Sequence, residues 1–173
     1  KTPKWMATLI DNEIIIRATS ENDYDSITEH YIRAGKETDY LMSIEGEFSV
    51  IIPKDKDKHR ALFLVVEVKG NIVGSCFIFP FSKYRMRHIR GLAIAIEREY
   101  WGLGLGKTLL KDSLLWADSN GINRLTVEVD ADNYKAISLY HKLGFEIEGT
   151  LKNSKLLSNG EYKNAYIMAR FHE

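Results

Sequence analysis

Glu99-Tyr100-Trp101-Gly102-Leu103-Gly104-Leu105-Gly106-Lys107-Thr108 sits where the hydrophobic period of the chain changes. Before it, Ile89, Gly91, Ala93 and Ala95 alternate with His88, Arg90, Leu92, Ile94 and Ile96, which reads as a strand from His88 to Ile96. After it, Leu109, Leu110, Ser113, Leu114 and Ala117 recur at helical spacing until Asn120-Gly121 ends the pattern. The stretch therefore joins a strand to a helix, and glycine occupies every second position from Gly102 to Gly106. Glycines let a backbone approach a ligand closely, and the free amides that open a helix bind phosphate. The connection reads as a pyrophosphate cradle. Two other phosphate loops fail by counting. The nucleotide-triphosphate pattern needs glycine where Trp101 stands, and the dinucleotide pattern needs Gly or Ala where Lys107 stands.

The flanking chain supplies the rest of a mixed α/β order. Ile14 to Ile16 begins a strand, and Thr19 to Asp23 carries residues that start helices, giving a helix from about Glu21 to Ala34. A second short helix is expected near Tyr40, followed by a solvated loop at Lys54 to His59. Ala61 to Val68 and Ile72 to Phe81 form a hairpin around Lys69-Gly70-Asn71. Leu125 to Val129 is strand-like, and Asn133 to Leu143 is helix-like with Gly144 as its stop. Phe145 to Leu151 and Tyr162 to Phe171 are two further strands with Asn159-Gly160 between them.

Composition narrows the function classes. The chain has 173 residues, the size of one globular domain. Its 24 Lys+Arg against 24 Asp+Glu argue against a polyanionic partner such as nucleic acid. The single cysteine, Cys76, excludes an internal disulfide and cysteine-cluster zinc sites, and suits the reducing cytoplasm. The apolar runs are strand-sized, so no membrane span is expected. Lys1 to Ile10 lacks the long apolar region of a signal peptide, and residues 1–12 read as a peripheral extension.

A second cluster strengthens the first. Asn133-Tyr134-Lys135-Ala136-Ile137-Ser138-Leu139-Tyr140-His141-Lys142-Leu143-Gly144-Phe145 places Asn133, Ala136, Ile137 and Tyr140 near one helix face. With the segment from Trp101 to Gly106 it resembles the two signatures of the GCN5-related N-acetyltransferases, whose acyl-CoA loop follows Arg/Gln-x-x-Gly-x-Gly/Ala. Trp101 stands where that pattern has Arg or Gln, while Gly104 and Gly106 match it. The resemblance spans about Ile14 to Phe171. It implies a single-domain mixed α/β fold: a mostly antiparallel sheet of six to seven strands, about four helices, and a splay between two central parallel strands. Acetyl-CoA is the implied co-substrate, with no metal. Its pantetheine arm would pair with the backbone of Ile94, Ala95 and Ile96, and the loop of Trp101, Gly102, Leu103, Gly104, Leu105, Gly106, Lys107 and Thr108 would hold its phosphates, Trp101 not itself being a phosphate ligand in the resemblance. Asn133, Tyr140 and Lys142 complete the implied cofactor set, and Tyr140 is the implied general acid toward the departing thiolate. A phenol near pKa 10 stays protonated at pH 7 and can donate to a thiolate of pKa near 8.5.

Acetyl transfer to an amine also needs a base, since an amine of pKa near 10.4 is neutral in only about one molecule in two thousand at pH 7. Glu128 is the first candidate, with His88 and Glu97 beside it; a water chain is the alternative. The implied reaction is direct transfer within a ternary complex, its oxyanion met by the backbone amide at Ile94. Cys76 lies mid-strand and reads as a buried apolar residue rather than a nucleophile, and the five histidines show no metal-ligand spacing. Arg98, Lys107, Lys111, Lys135 and Lys142 surround the two motifs. The tail from Phe145 to Arg170 is similar to the ribosomal-protein N-terminal and polyamine acetyltransferase branch, so the implied acceptor is a small-molecule amine or a protein N-terminus. Monomer and homodimer are both compatible with this reading. The competing classes are a non-catalytic acyl-CoA-binding regulatory module and an unrelated phosphate-binding domain.

Overall fold

A computed structural model of the chain describes residues 7–9, 13–41, 50–54, 57 and 59–173. Its strands are β1 (Ala7–Leu9), β2 (Ile14–Ala18), β3 (Leu62–Val68), β4 (Asn71–Pro80), β5 (Ile89–Ile96), β6 (Arg124–Asp130), β7 (Glu146–Leu156) and β8 (Tyr162–Phe171). The helices are α1 (Tyr24–Glu37), α2 (Leu105–Ser119) and α3 (Tyr134–Lys142). All eight strands form one sheet in the order β1-β2-β3-β4-β5-β6-β8-β7. Every neighbouring pair is antiparallel except β5 and β6. That pair is parallel because α2 carries the chain back over the sheet between them.

The expected hairpins and helices form at their expected places. Lys69 and Gly70 both adopt positive φ between β3 and β4, as a two-residue hairpin requires. Three details differ. The sheet has eight strands rather than six to seven, because Ala7–Leu9 pairs with β2, Ala7 opposite Arg17; this part of the extension belongs to the sheet edge. The described residues contain three α-helices rather than about four: Thr38–Leu41, around the Tyr40 where a second short helix is expected, forms no helix, and residues 42–49 lie outside the described residues. β7 runs to Leu156, past the expected end at Leu151.

The two faces of the sheet carry different partners. On one, Leu105, Leu109, Leu110, Leu114 and Trp116 of α2 join Leu64, Val66, Cys76, Ile78, Leu92 and Phe145 in the main core. Each buried leucine of this kind contributes about 1.5–3 kcal/mol relative to an exposed one. On the other, Ile27 of α1 packs with Phe63, Val65 and Ile72. Successive residues of one strand therefore address different layers, and this places the two halves of the site described below. Among the described residues no helix is long and apolar enough to cross a membrane.

Candidate active site

The pairing between β5 and β6 stops half-way. Its register runs from Ile89 opposite Arg124 to Leu92 opposite Val127 and goes no further. Beyond it lie Ala93–Ile96 on one side and Glu128–Asp130 on the other. The direction of the free backbone groups follows from strand alternation. The N–H of Glu97 donates to Val73 in β4, whereas the carbonyl of His88 accepts from Arg124 in β6. Even-numbered residues of β5 thus turn their backbone groups toward β6, and those of Ile94 and Ile96 face the gap. The Ile96 carbonyl already accepts the indole N–H of Trp101 at 2.7 Å. Trp101 is therefore a latch that holds the glycine loop against the end of β5, with Arg98 stacked 5.4 Å from its ring centroid.

On the α2 side of the gap a cavity of about 680 Å³ is lined by Ile94, Ala95, Ile96, Trp101, Gly102, Gly104, Leu105, Gly106, Lys107, Asn133 and Lys135, among others. The two motifs separated in sequence meet there. Gly104 caps α2 with φ +78°, and Gly102 has φ +79°; an added Cβ would meet nothing within 4 Å at either position. The turn that presents the α2 amides is thus left-handed at two places, and the space above it is open. Leu103 and Thr108 do not line this cavity; the Thr108 hydroxyl instead donates back to the Gly104 carbonyl at 3.1 Å. Asn133 caps α3, its side-chain oxygen accepting the Ala136 N–H at 3.3 Å. Beside this cavity, Lys107, Lys111, Lys135 and Lys142 converge on a groove of about 670 Å³ between α2 and α3. Four cations on one groove favour an anionic occupant.

A family model described as the acetyltransferase (GNAT) family matches residues 24–145, from α1 through the end of the second motif. The chain belongs to that family. It is an N-acetyltransferase, and acetyl-CoA is its acyl donor. The L-amino acid N-acetyltransferase AaaT of Escherichia coli (strain K12) is 29% identical over 160 residues, which cover 92% of this chain and 98% of that protein. An N-alpha-acetyltransferase of Sulfurisphaera tokodaii is 31% identical over 123 residues, 65% of this chain and 70% of its own. A crystal structure of a GNAT-family acetyltransferase from Streptococcus pneumoniae superimposes with a TM-score of 0.85 at 30% identity, covering 92% of this chain and all of that one.

In this acetyltransferase the α1 side of the gap holds a second cavity, of about 560 Å³, whose lining includes Phe79, Phe81, Glu128, Asp130 and Tyr140. Tyr40, Ile94, Asn133 and Ala136 line both cavities, so the two spaces meet at the splay. Tyr140 is 4% exposed and stacks 5.5 Å from Phe145. Burial holds its phenol well above the ordinary tyrosine range, so it keeps its proton at pH 7. Glu128 is exposed to this cavity and accepts the Ser154 hydroxyl at 2.7 Å. Behind it Asp130 is buried and paired with Lys155 at 2.7 Å; Lys155 also donates to the Asp39 carbonyl. Lys163 lies 5.3 Å from the ring centroid of Tyr40. Two lysines of the β7–β8 hairpin thus hold the segment after α1 over the junction. Cys76 is fully buried beside Ser113, and desolvation pushes its thiol up to about 12, which suits a core residue and not a nucleophile.

Two of the three candidate bases fall away. His88 is an exposed turn residue just before β5, at the end of the strand opposite the gap, and it lines neither cavity. Glu97 is buried in an ion-pair network instead. It accepts from His30 Nδ1 at 2.9 Å and from Arg33 Nε at 2.6 Å, and His30 Nε2 meets the Ser75 hydroxyl at 3.1 Å. Burial alone would raise the Glu97 pKa, but the hydrogen bonds from His30 and Arg33 outweigh it and hold the carboxylate below the usual range. Together with Arg98, whose backbone N–H donates to Glu37 at 2.7 Å, this network ties α1 to the end of β5. Glu97→Ala is expected to cost about 3 kcal/mol of folding stability by stranding His30 and Arg33, the lower end of the range because Arg33 is 44% exposed. Urea denaturation reads it. The contribution is present above the ordinary carboxylate pKa and is lost as pH falls through the lowered native value, whereas a catalytic base would show its loss in kcat at unchanged stability.

Proposed function

We propose that the enzyme transfers acetyl directly from acetyl-CoA to a primary amine, on a small molecule or at a protein N-terminus, within a ternary complex. The observation that carries this reading is the meeting of the two cavities at the splay between β5 and β6. The donor-side cavity offers the α2 amides and Lys107 to the pyrophosphate of CoA, and the lysine groove offers its charges to the remaining phosphate. The pantetheine arm runs along the gap-facing backbone of Ile94 and Ile96. The acceptor enters from the α1 side.

The chemistry follows from the groups at the junction. Glu128, directly or through water, takes the proton that turns the ammonium into a nucleophile. The amine nitrogen attacks the thioester carbonyl, and the Ile94 N–H in the gap stabilises the resulting oxyanion. The intermediate passes a second proton from nitrogen to water as the C–S bond breaks, Glu128 releases the first to solvent, and Tyr140 protonates the departing thiolate before regaining a proton from solvent. One ammonium and one thioester thus yield one amide, one thiol and one released proton. Residues 1–173 act in this reading as a single acetyltransferase domain. A cytoplasmic setting suits its one cysteine, which is buried and reduced.

The test is acetylation across amines, amino acids, polyamines and short peptides, followed by release of the CoA thiol. Amine-dependent release is expected. Retained CoA binding with no amine-dependent release would make the chain the non-catalytic acyl-CoA-binding module instead.

A further inference from the structure

The acceptor-side cavity has a distinct chemistry, and this inference rests on the transfer reading above. Its floor is aromatic. Phe79 lies directly across Gly91 on the neighbouring strand, so closely that a Cβ on Gly91 would come within 2.3 Å of the ring. Phe81 follows at 6.1 Å between ring centroids, and Tyr40 closes the junction above. Only a glycine at position 91 leaves room for the Phe79 ring there.

The charges in the same lining are of one sign. Its ionisable carboxylates are Glu128 and Asp130, and no Lys, Arg or His stands among the described lining residues. Asp130 is matched by Lys155. Among the described residues Glu128 accepts a neutral hydroxyl, from Ser154, and no cation, and so presents its charge to the cavity. An ammonium entering here meets an attractive partner and an apolar floor for whatever carries it. A zwitterionic amino acid would bring its own carboxylate beside the same nitrogen and toward Glu128, where like charge is penalised, while the neighbouring Lys155 is already paired with Asp130.

We propose that the acceptor of this enzyme is a primary amine with no carboxylate next to the nitrogen, carried on an apolar body of aromatic size. The preference separates this chain from the amino-acid acceptors named for its Escherichia coli relative.

Phenethylamine and L-phenylalanine are a matched pair, differing by the carboxylate. With the unaltered enzyme and acetyl-CoA at pH 7, kcat/KM for phenethylamine is expected to exceed that for phenylalanine by about tenfold or more. This order runs against intrinsic reactivity, because the phenethylamine nitrogen is the more basic of the two and less often neutral. Equal or faster turnover of phenylalanine would overturn the proposal. Phenylalaninamide keeps a substituent at the same carbon without its charge and stands for a peptide N-terminus. It should side with phenethylamine; if it is rejected together with phenylalanine, bulk and not charge is responsible, and the charge argument falls. Ethylamine reads the aromatic floor and is expected to be poorer than phenethylamine by about tenfold, whereas parity would remove the floor from the argument. Absence of CoA release with every amine would remove the transfer reading and this inference with it, a result distinct from a reversed order among active amines.

Discussion

Tyr140→Phe is expected to lower kcat by about 10²-fold while affinity for CoA is nearly kept. The ring of Tyr140 is part of the core, packed on Phe145 with only 4% of the residue exposed. Phenylalanine fills the same space, so the fold and the donor cavity survive the change. What is lost is one O–H at the wall of the acceptor-side cavity, where Ile94, Asn133 and Ala136 join it to the donor side. Burial raises the phenol's pKa, which keeps it protonated throughout the neutral range and makes it a donor, not a base. The loss should therefore appear in kcat and kcat/KM alike, as for an interaction made only in the transition state. It should also depend on the leaving group, since a donor thioester with a more acidic thiol needs less help from an acid. Unchanged turnover in the Phe variant would remove Tyr140 from the chemistry and leave proton delivery to solvent.

The parts of this molecule that were legible in the sequence share one property: their signal is local. The glycine loop, the Asn133 cap, the helix that follows each, and the Lys69-Gly70 hairpin are written in residues a few positions apart, because turns and helices close over a few residues. The eighth strand escapes a local pattern for the same reason, since Ala7–Leu9 is too short to show a period and exists through its pairing with β2. Glu97 reads as a candidate base from its place at a strand end. Its true partners, His30 and Arg33, lie 67 and 64 residues away in the chain, and no local pattern announces them. Trp101 looked like a departure from the family loop; the hydrogen bond to Ile96 shows what it does there. The acceptor cavity was the least legible feature. It is assembled from the segment after α1, from β4, β5, β6, α3 and β8, and is steadied by lysines of the β7–β8 hairpin. Its one local trace was Gly91, which in the sequence is only a small residue in an alternating strand.

Gly104→Val is expected to weaken CoA binding by about 10²-fold or more while leaving a folded protein. Two effects separate at this position. The first is conformational: Gly104 holds φ +78° as the cap of α2, and a β-branched residue in that region costs about 1–2 kcal/mol. For a domain of this length such a loss lowers Tm by only about 2–8 °C, and nothing within 4 Å of the new Cβ adds a clash in the unliganded protein. The second effect is steric and electrostatic, and it is felt only when the ligand arrives. The open space above Gly104 is where the first amides of α2 emerge, and an isopropyl group there would hold a phosphate away from those donors. Charge-assisted hydrogen bonds are worth about 1.5–3 kcal/mol each, so losing one or two of them reaches the stated factor. Calorimetric titration with CoA, alongside thermal unfolding without it, distinguishes the two: a small fall in Tm with a large fall in affinity places the phosphate at the helix entrance. Gly104→Ala, which carries the conformational cost with less bulk, should fall between the wild type and the valine variant. An unchanged CoA affinity in both variants would move the pyrophosphate off the α2 N-terminus and leave the lysine groove between α2 and α3 as its holder.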